Sequence, residues 1–207
     1  MITLCLNTAE INAQIVLNLD EKIKNLELDS SLKHSENLLP KIEEILGGLP
    51  LEKLDYLAVN VGPGSFTGLR ISIATAKALL LTQKHLKAIK INSFELMANN
   101  FFKQNMQNKA NFVIDALSSL YFVCEMDRDF NVLSAPKMVE KNELINLTNI
   151  VSDKPIENIS SIIVKTTCED LNEVASKKIK NNQFCEEKEL IPLYIRPSQA
   201  EAQKKAH

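Results

Sequence analysis

Val61-Gly62-Pro63-Gly64-Ser65-Phe66-Thr67-Gly68-Leu69-Arg70-Ile71 is the stretch on which the reading of this chain turns. Residues 54–61 before it have the composition of a short buried strand. Residues 69–81 after it form a helical pattern with almost no polar surface. Gly62-Pro63-Gly64 supplies a tight turn, because proline presets φ and glycine reaches φ > 0. Ser65 or Thr67 then caps the helix by accepting from its free N–H groups. The five glycines of the chain are Gly47, Gly48, Gly62, Gly64 and Gly68, so permissive backbone is concentrated at this loop. A strand, a glycine turn and a helix N-terminus can attract an anion. Two nucleotide-binding motifs are nonetheless excluded: no Gly-Lys-Ser/Thr follows, and the spacing is not G-x-G-x-x-G. The residues by themselves favour a structural turn.

Working outward, strands are predicted at 2–6, 13–19 and 23–28, close enough to form an antiparallel meander. Leu38, Leu39, Ile42, Ile45 and Leu46 then recur at helical spacing, with Glu36, Lys41, Glu43 and Glu44 opposite. Gly47-Gly48 ends that helix, and Pro40 is expected in its first turn or at a kink. A strand at 87–91 and a helix at 93–102, capped by Ser93, complete an α/β layer with a mixed sheet. The polar run 103–109 marks the boundary between an N-terminal lobe, 1–104, and a C-terminal lobe, 105–207. Beyond it, strands are predicted at 112–117, 120–126 and 131–139. Helices at 140–148 and 167–179 flank a strand at 161–165, an order that partly echoes the first half.

Composition narrows the function classes. A net charge of −2 leaves no electrostatic footprint for nucleic acid. Lys177, Lys178 and Lys180, like Lys204 and Lys205, read as solvated faces. No apolar run reaches the ~20 residues needed to span a bilayer, and the start shows no charged n-region. A cytoplasmic location with no membrane partner is expected. Cys5, Cys124, Cys168 and Cys185 form no C-x-x-C pair, and His34, His85 and His207 are isolated. No metal and no cofactor is therefore predicted. His34 reads as a helix-start residue or a surface contact.

Gly-Pro-Gly-Ser-Phe-Thr-Gly-Leu-Arg at 62–70, followed by Ala74-Thr75-Ala76-Lys77, resembles the signature of the TsaB (YeaZ) family. Asn7-Thr8-Ala9, His34-Ser35-Glu36 with Leu38-Leu39-Pro40, Val113-Ile114-Asp115-Ala116 with Tyr121, and Pro192-Leu193-Tyr194-Ile195-Arg196-Pro197 with Ala200 match the family's other landmarks in order. The resemblance implies the actin-like/sugar-kinase/Hsp70 ATPase fold, two ribonuclease-H-like lobes with the second shortened. It implies a non-catalytic scaffold that activates the TsaD-type transferase in tRNA threonylcarbamoyladenosine biosynthesis. The partners implied are a TsaD-like catalytic paralogue, a TsaE-like ATPase, a second copy when alone, and tRNA only through the complex.

Active relatives of the fold end their first strand in an Asp that organises Mg²⁺ and phosphate. Asn7 stands there, and a neutral amide is a poor hard-cation ligand. No glycine follows Gly68, so the second-lobe phosphate and adenosine loops cannot exist in familiar form. The rival class is an enzyme, an ATP-dependent phosphotransferase or a metallopeptidase. The latter needs two nearby histidines or a glutamate–histidine pair to hold a metal, and Leu38, not His, stands four residues after His34. Asp115 is either a remnant polar site residue or a strand-end turn residue. Arg70, a cation in the first turn of a helix, opposes the dipole; it has either a specific carboxylate or backbone partner or a solvated place over apolar surface. A helix apolar nearly all round is buried on both faces or meets another chain. The resemblance points to the second alternative, with Leu38, Leu39, Ile42 and Ile45 of the first helix and Arg70, Ile71, Ala74 and Ala78 of the second as the partner-binding seam.

Overall fold

The computed structural model describes residues 1–20, 22–29 and 33–195. Arg196, Pro197, Ala200, Lys204, Lys205 and His207, singled out above, lie outside the described residues. Two compact units emerge: Met1–Leu96 with Thr166–Leu193, and Met97–Lys165 with the described residues from Tyr194 onward.

The first unit runs β1 (Thr3–Asn7), β2 (Ala13–Asn18), β3 (Ile23–Leu28), α1 (His34–Leu46), β4 (Tyr56–Asn60), α2 (Phe66–Thr82), β5 (Lys87–Ile91) and into α3 (Ser93–Gln104). Its sheet has the order β3-β2-β1-β4-β5. The meander β1–β2–β3 is antiparallel, and β4 and β5 run parallel to β1. Every residue of β1 is buried, as a central strand covered on both faces requires. Alternation divides the strand: Leu4 and Leu6, with Ile15, Leu17, Leu57 and Val59, join Leu38, Ile42 and Ile45 of α1 and Leu69, Ile73 and Ala76 of α2 in one core.

Helix α1 ends where Gly47 turns left-handed, with φ 57°, and its N–H donates to Glu43 O at 3.1 Å. Lys24 Nζ donates to Ile45 O at 3.1 Å, placing a cation on the carbonyl end. Pro40 is not in the first turn. It lies inside α1 on its exposed side, leaving the Glu36 carbonyl without an N–H four residues on. Helix α3 is not capped by Ser93. Asn92 Oδ1 accepts from Glu95 N at 2.9 Å, and Glu95 Oε2 accepts from Asn92 N at 2.8 Å, a reciprocal capping box.

The second unit contains β6 (Lys109–Asp115), β7 (Leu120–Asp127), β8 (Val132–Glu140), α4 (Lys141–Leu144), β9 (Ile150–Ser152) and β10 (Ile162–Ile163). Its sheet order, β10-β9-β6-β7-β8, read from β8 repeats the first sheet strand for strand. The hand of pairing repeats too: β6–β7–β8 is an antiparallel meander, with β9 and β10 running parallel to β6. This duplicated ribonuclease-H-like order is the actin-like/sugar-kinase/Hsp70 architecture. The second copy is reduced, with four residues in α4 where α1 has 13. The helix predicted over 140–148 is thus one turn long, the strand at 161–165 shrinks to Ile162–Ile163, and β9 had no counterpart in the reading. Phe101 and Phe102 close the core of this unit by edge-on packing against Phe112, with centroids 6.0 and 5.8 Å away.

The linear division at residue 104 needs correcting. The split falls inside α3, and Thr166–Leu193 belongs to the first unit. The reason is α5 (Cys168–Lys180), which packs on β1, β2, β3 and β5. Thr167 caps it, its side chain accepting from Asp170 N. Lys178 is not on a solvated face: its Nζ lies 2.7 Å from Glu95 Oε1, and both side chains are mostly buried.

Candidate functional site: the signature loop and the face of the second helix

The loop after β4 lies directly against the turn that follows β1. Ser65 N donates to Ala9 O at 2.7 Å, and Thr8 Oγ1 donates to Gly68 O at 2.6 Å. A Cβ on Gly68 would sit 1.8 Å from Thr8 O, and one on Gly64 2.5 Å from Ala9 O. Gly62 takes φ 101°, which side chains of L-residues resist. Pro63 and Gly68 are buried, while Ser65, Phe66 and Thr67 are exposed. Ser65 is the N-cap of α2, its Oγ accepting from Gly68 N at 3.2 Å. The glycines thus serve backbone against backbone.

Asn7, fully buried at the end of β1, stands in a network of polar side chains that includes the Glu10 carboxyl. Its Nδ2 donates to Gln14 Oε1 at 2.9 Å and to Glu10 Oε1 at 3.3 Å. Its Oδ1 accepts from Ala9 N at 3.0 Å and from Asn60 Nδ2 at 2.9 Å. Gln14 Nε2 donates to Thr166 O at 2.9 Å, and Thr166 Oγ1 donates to Glu10 Oε1. Each hydrogen and lone pair named here is directed at a protein atom, which leaves the Asn7 amide committed internally. Among the described residues no buried side-chain nitrogen or oxygen lacks a partner, and no group of three or more His, Cys, Asp or Glu could hold a metal ion.

Burial pushes the Cys5 thiol up to about 12, with Cys168 adding to the effect. Cys168 is likewise pushed up to about 12, first by burial and then by the charge of Glu27. These thiols are inert packing groups. In the second unit Asp115 occupies the strand end that corresponds to Asn7. Its Oδ2 lies 3.4 Å from Lys154 Nζ, and its N–H donates to Asp153 Oδ1 at 3.2 Å. Burial raises the Asp153 carboxyl above the usual range, and the Asp115 charge raises it further, against the Asp115 N–H and Lys154. Asp115 is therefore a charged strand-end turn residue. His34 is half-buried at the start of α1, and His85 Nε2 lies 3.0 Å from Leu54 O.

The seam expected from sequence divides in two. Leu38, Ile42 and Ile45 are 1%, 4% and 3% exposed and belong to the core against the sheet, so they are unavailable to another chain. Leu39, one position round the helix, is 61% exposed. On α2, Arg70, Ala74 and Ala78 are exposed and Ile71 is half-buried. Phe66 at 55% and Leu81 at 59% extend this stripe at both ends, the first read only as a loop residue and the second not read as a contact. The positions 66, 70, 71, 74, 78 and 81 recur at helical spacing, one continuous line opposite the buried face of Leu69, Ile73, Ala76 and Leu80. Arg70 finds its place within the stripe: its guanidinium carbon lies 3.8 Å from the centroid of the Phe66 ring. This contact offsets the unfavourable position near the helix N-terminus.

Residues 28–161, well over half of the chain, match the family model of TsaD, tRNA N6-adenosine threonylcarbamoyltransferase. The tRNA threonylcarbamoyladenosine biosynthesis protein TsaB of Buchnera aphidicola subsp. Acyrthosiphon pisum is 27% identical over 157 residues, which are 75% of this chain and 66% of that protein. The Escherichia coli K12 protein of the same name is 34% identical over 101 residues, 48% of this chain and 43% of its own length. The chain belongs to the TsaB (YeaZ) family. The solved structure of YeaZ from Pseudomonas aeruginosa superposes with a TM-score of 0.77 at 16% identity, covering 94% of this chain and 99% of that one, which shares the fold. The matched regions span between 43% and 66% of the length of these two TsaB relatives. Among the described residues no helix is long and apolar enough to cross a membrane.

Proposed function

We propose that this chain is a non-catalytic scaffold in tRNA threonylcarbamoyladenosine biosynthesis, one that activates a TsaD-type transferase by docking through the exposed face of α2. The observation that carries the proposal is the apolar stripe Phe66–Ile71–Ala74–Ala78–Leu81, with Leu39 of α1 exposed as well. Alanines at the centre of an exposed helix face let another helix approach closely, and the flanking Phe66 and Leu81 supply large anchors of the kind that dominate interfaces. Arg70 stacked on Phe66 gives the patch one oriented cation. A TsaE-like ATPase joins through the complex, a second copy covers the face when the chain is alone, and tRNA is met only in the assembly. The setting is cytoplasmic.

The committed amide of Asn7 supports the non-catalytic part of the reading, since a hard cation beside phosphate requires anionic oxygen at such a position. Two experiments test the proposal. Copurification with the TsaD-type protein of the same cell should succeed, and the complex should restore tRNA modification where either protein alone does not. Titration of the isolated chain with Mg-ATP should show no saturable heat; a micromolar constant would instead establish the phosphotransferase reading.

A further inference from the structure

Two buried amides 53 residues apart in sequence, Asn7 and Asn60, meet with Asn60 Nδ2 donating to Asn7 Oδ1 at 2.9 Å. Asn60 is the last residue of β4, immediately before the signature loop, and is fully buried. Its Oδ1 accepts from Gly62 N at 2.9 Å, so the start of the loop hangs on this side chain. The other end of the loop hangs on the partner amide. Ser65, the cap of α2, donates its N–H to Ala9 O, and Ala9 donates its own N–H to Asn7 Oδ1 at 3.0 Å. Ser93 closes the circuit: its Oγ lies 3.0 Å from Asn60 Nδ2, and its N–H donates to Gly62 O at 2.9 Å.

We propose that Asn60, acting with Asn7, is the positioning residue that sets where α2 begins, and through it the orientation of the docking face. Satisfying a buried group would need only one or two bonds anywhere. Here the bonds of one amide pair reach both ends of a single loop, and that loop is the only covalent link between β4 and α2. The pairing also requires a donor at position 60. Asn7 Oδ1 and Gly62 N demand, respectively, an N–H from Asn60 and an oxygen on the same group, and a primary amide supplies both without charge and without titrating. An aspartate at 60 would keep the oxygen for Gly62 N but set its second oxygen against Asn7 Oδ1. Protonated, that acid donates again. Desolvation and the facing oxygen raise its folded-state value above the ordinary carboxylate value of ~3.9. Stability contributed by such a group is present at low pH and lost as pH rises through the folded-state value.

The test compares the native chain with Asn60→Asp and Asn60→Ala by hydrogen-exchange protection factors, corrected for intrinsic rates, at about pH 7.5 and about pH 5. At the higher pH both variants should lose about tenfold in protection across residues 62–69, the effect of one lost buried hydrogen bond, while α1 and α5 keep theirs. At the lower pH the aspartate variant should recover and the alanine variant should not, a difference that a packing role would not produce. Equal protection in all three proteins overturns the proposal. So does unfolding of both variants with no recovery at low pH, since the amides would then hold the whole unit and not the loop. The binding arm rests on the docking role proposed above. Affinity for a TsaD-type protein should follow the same pH dependence in the aspartate variant. If the native chain binds no such protein, the docking reading fails while the protection factors still judge the positioning role.

Discussion

Replacing Ala74 with Asp and, separately, Ile42 with Asp distinguishes the docking face from the core with one chemical change. Ala74 is exposed in the middle of α2. In the lone chain the substitution costs the alanine-to-aspartate difference in helix propensity, roughly 0.7 kcal/mol at most. Lys77, three residues on and already 3.2 Å from Glu187 Oε1, returns at most about 0.2–0.5 kcal/mol. The melting temperature should therefore stay within about 2 °C of the parent, given ~2–4 °C per kcal/mol for a chain of this size. In the complex the same carboxylate is carried into an apolar contact without a partner, and the affinity should fall by at least ~2 kcal/mol, about thirtyfold. Ile42 is 4% exposed within the core. Removing its side chain costs about 2–5 kcal/mol before the buried charge is counted. That is a large part of the ~5–15 kcal/mol that holds a domain together, and the lone chain should melt at least ~8 °C earlier. Calorimetric titration with the TsaD-type partner and circular-dichroism melts read both quantities. A folded Ala74→Asp variant that binds as tightly as the parent refutes the assignment of the α2 stripe. An Ile42→Asp variant that melts normally refutes the core assignment of α1.

Gly68→Ala should destabilise the lone chain by about 1–3 kcal/mol, because the added methyl meets the Thr8 carbonyl 1.8 Å away and backbone has to move; a thermal melt equal to the parent's would show that the loop does not lie against the turn. Cys5 and Cys168, both pushed up to about 12 by burial, should resist alkylation at about pH 8 in the folded chain and react only in denaturant, as mass spectrometry of the alkylated peptides would report.

Local chemistry was legible in the sequence wherever one segment carried the whole signal. Gly47 ends α1, Ser65 caps α2, and the meander β1–β2–β3 follows from short alternating runs with turns between them. Where two neighbouring groups competed for one role, the reading missed. Asn92 and Ser93 are both helix-capping residue types, and Ser93 lost because its hydroxyl is engaged by Asn60. Helical periodicity identified the apolar line Leu38–Ile42–Ile45 correctly as a face, the family resemblance assigned it to a partner, and no period distinguishes a sheet of the same chain from a helix of another. The return of α5 to the first unit was also hidden, since its amphipathic pattern does not name the surface it will cover. The amide pair Asn7–Asn60 joins residues from separate strands and leaves no local mark at all.

The missing glycines of the second half acquire a different cause once the two sheets are laid side by side. Glycine is absent after Gly68. The strand order repeats between the sheets, so β9 corresponds to β4 and β10 to β5. Between β4 and β5 lie the glycine loop and the 17 residues of α2. Between β9 and β10 there is no helix, only the connection 153–161. A glycine at the start of a helix is required where that helix must press its first turn onto a neighbouring backbone, as Gly68 does against Thr8. Without the helix there is no such turn, and the demand for glycine vanishes with it. The strand ends then differ accordingly. The first unit ties its strand ends to the loop through neutral amides, while the second ends in the charged Asp115 beside Lys154 with no loop to hold. Under the docking role proposed above, a face like that of α2 is available only in the unit that has the helix, and the amide pair proposed to hold that helix in register lies beneath its loop.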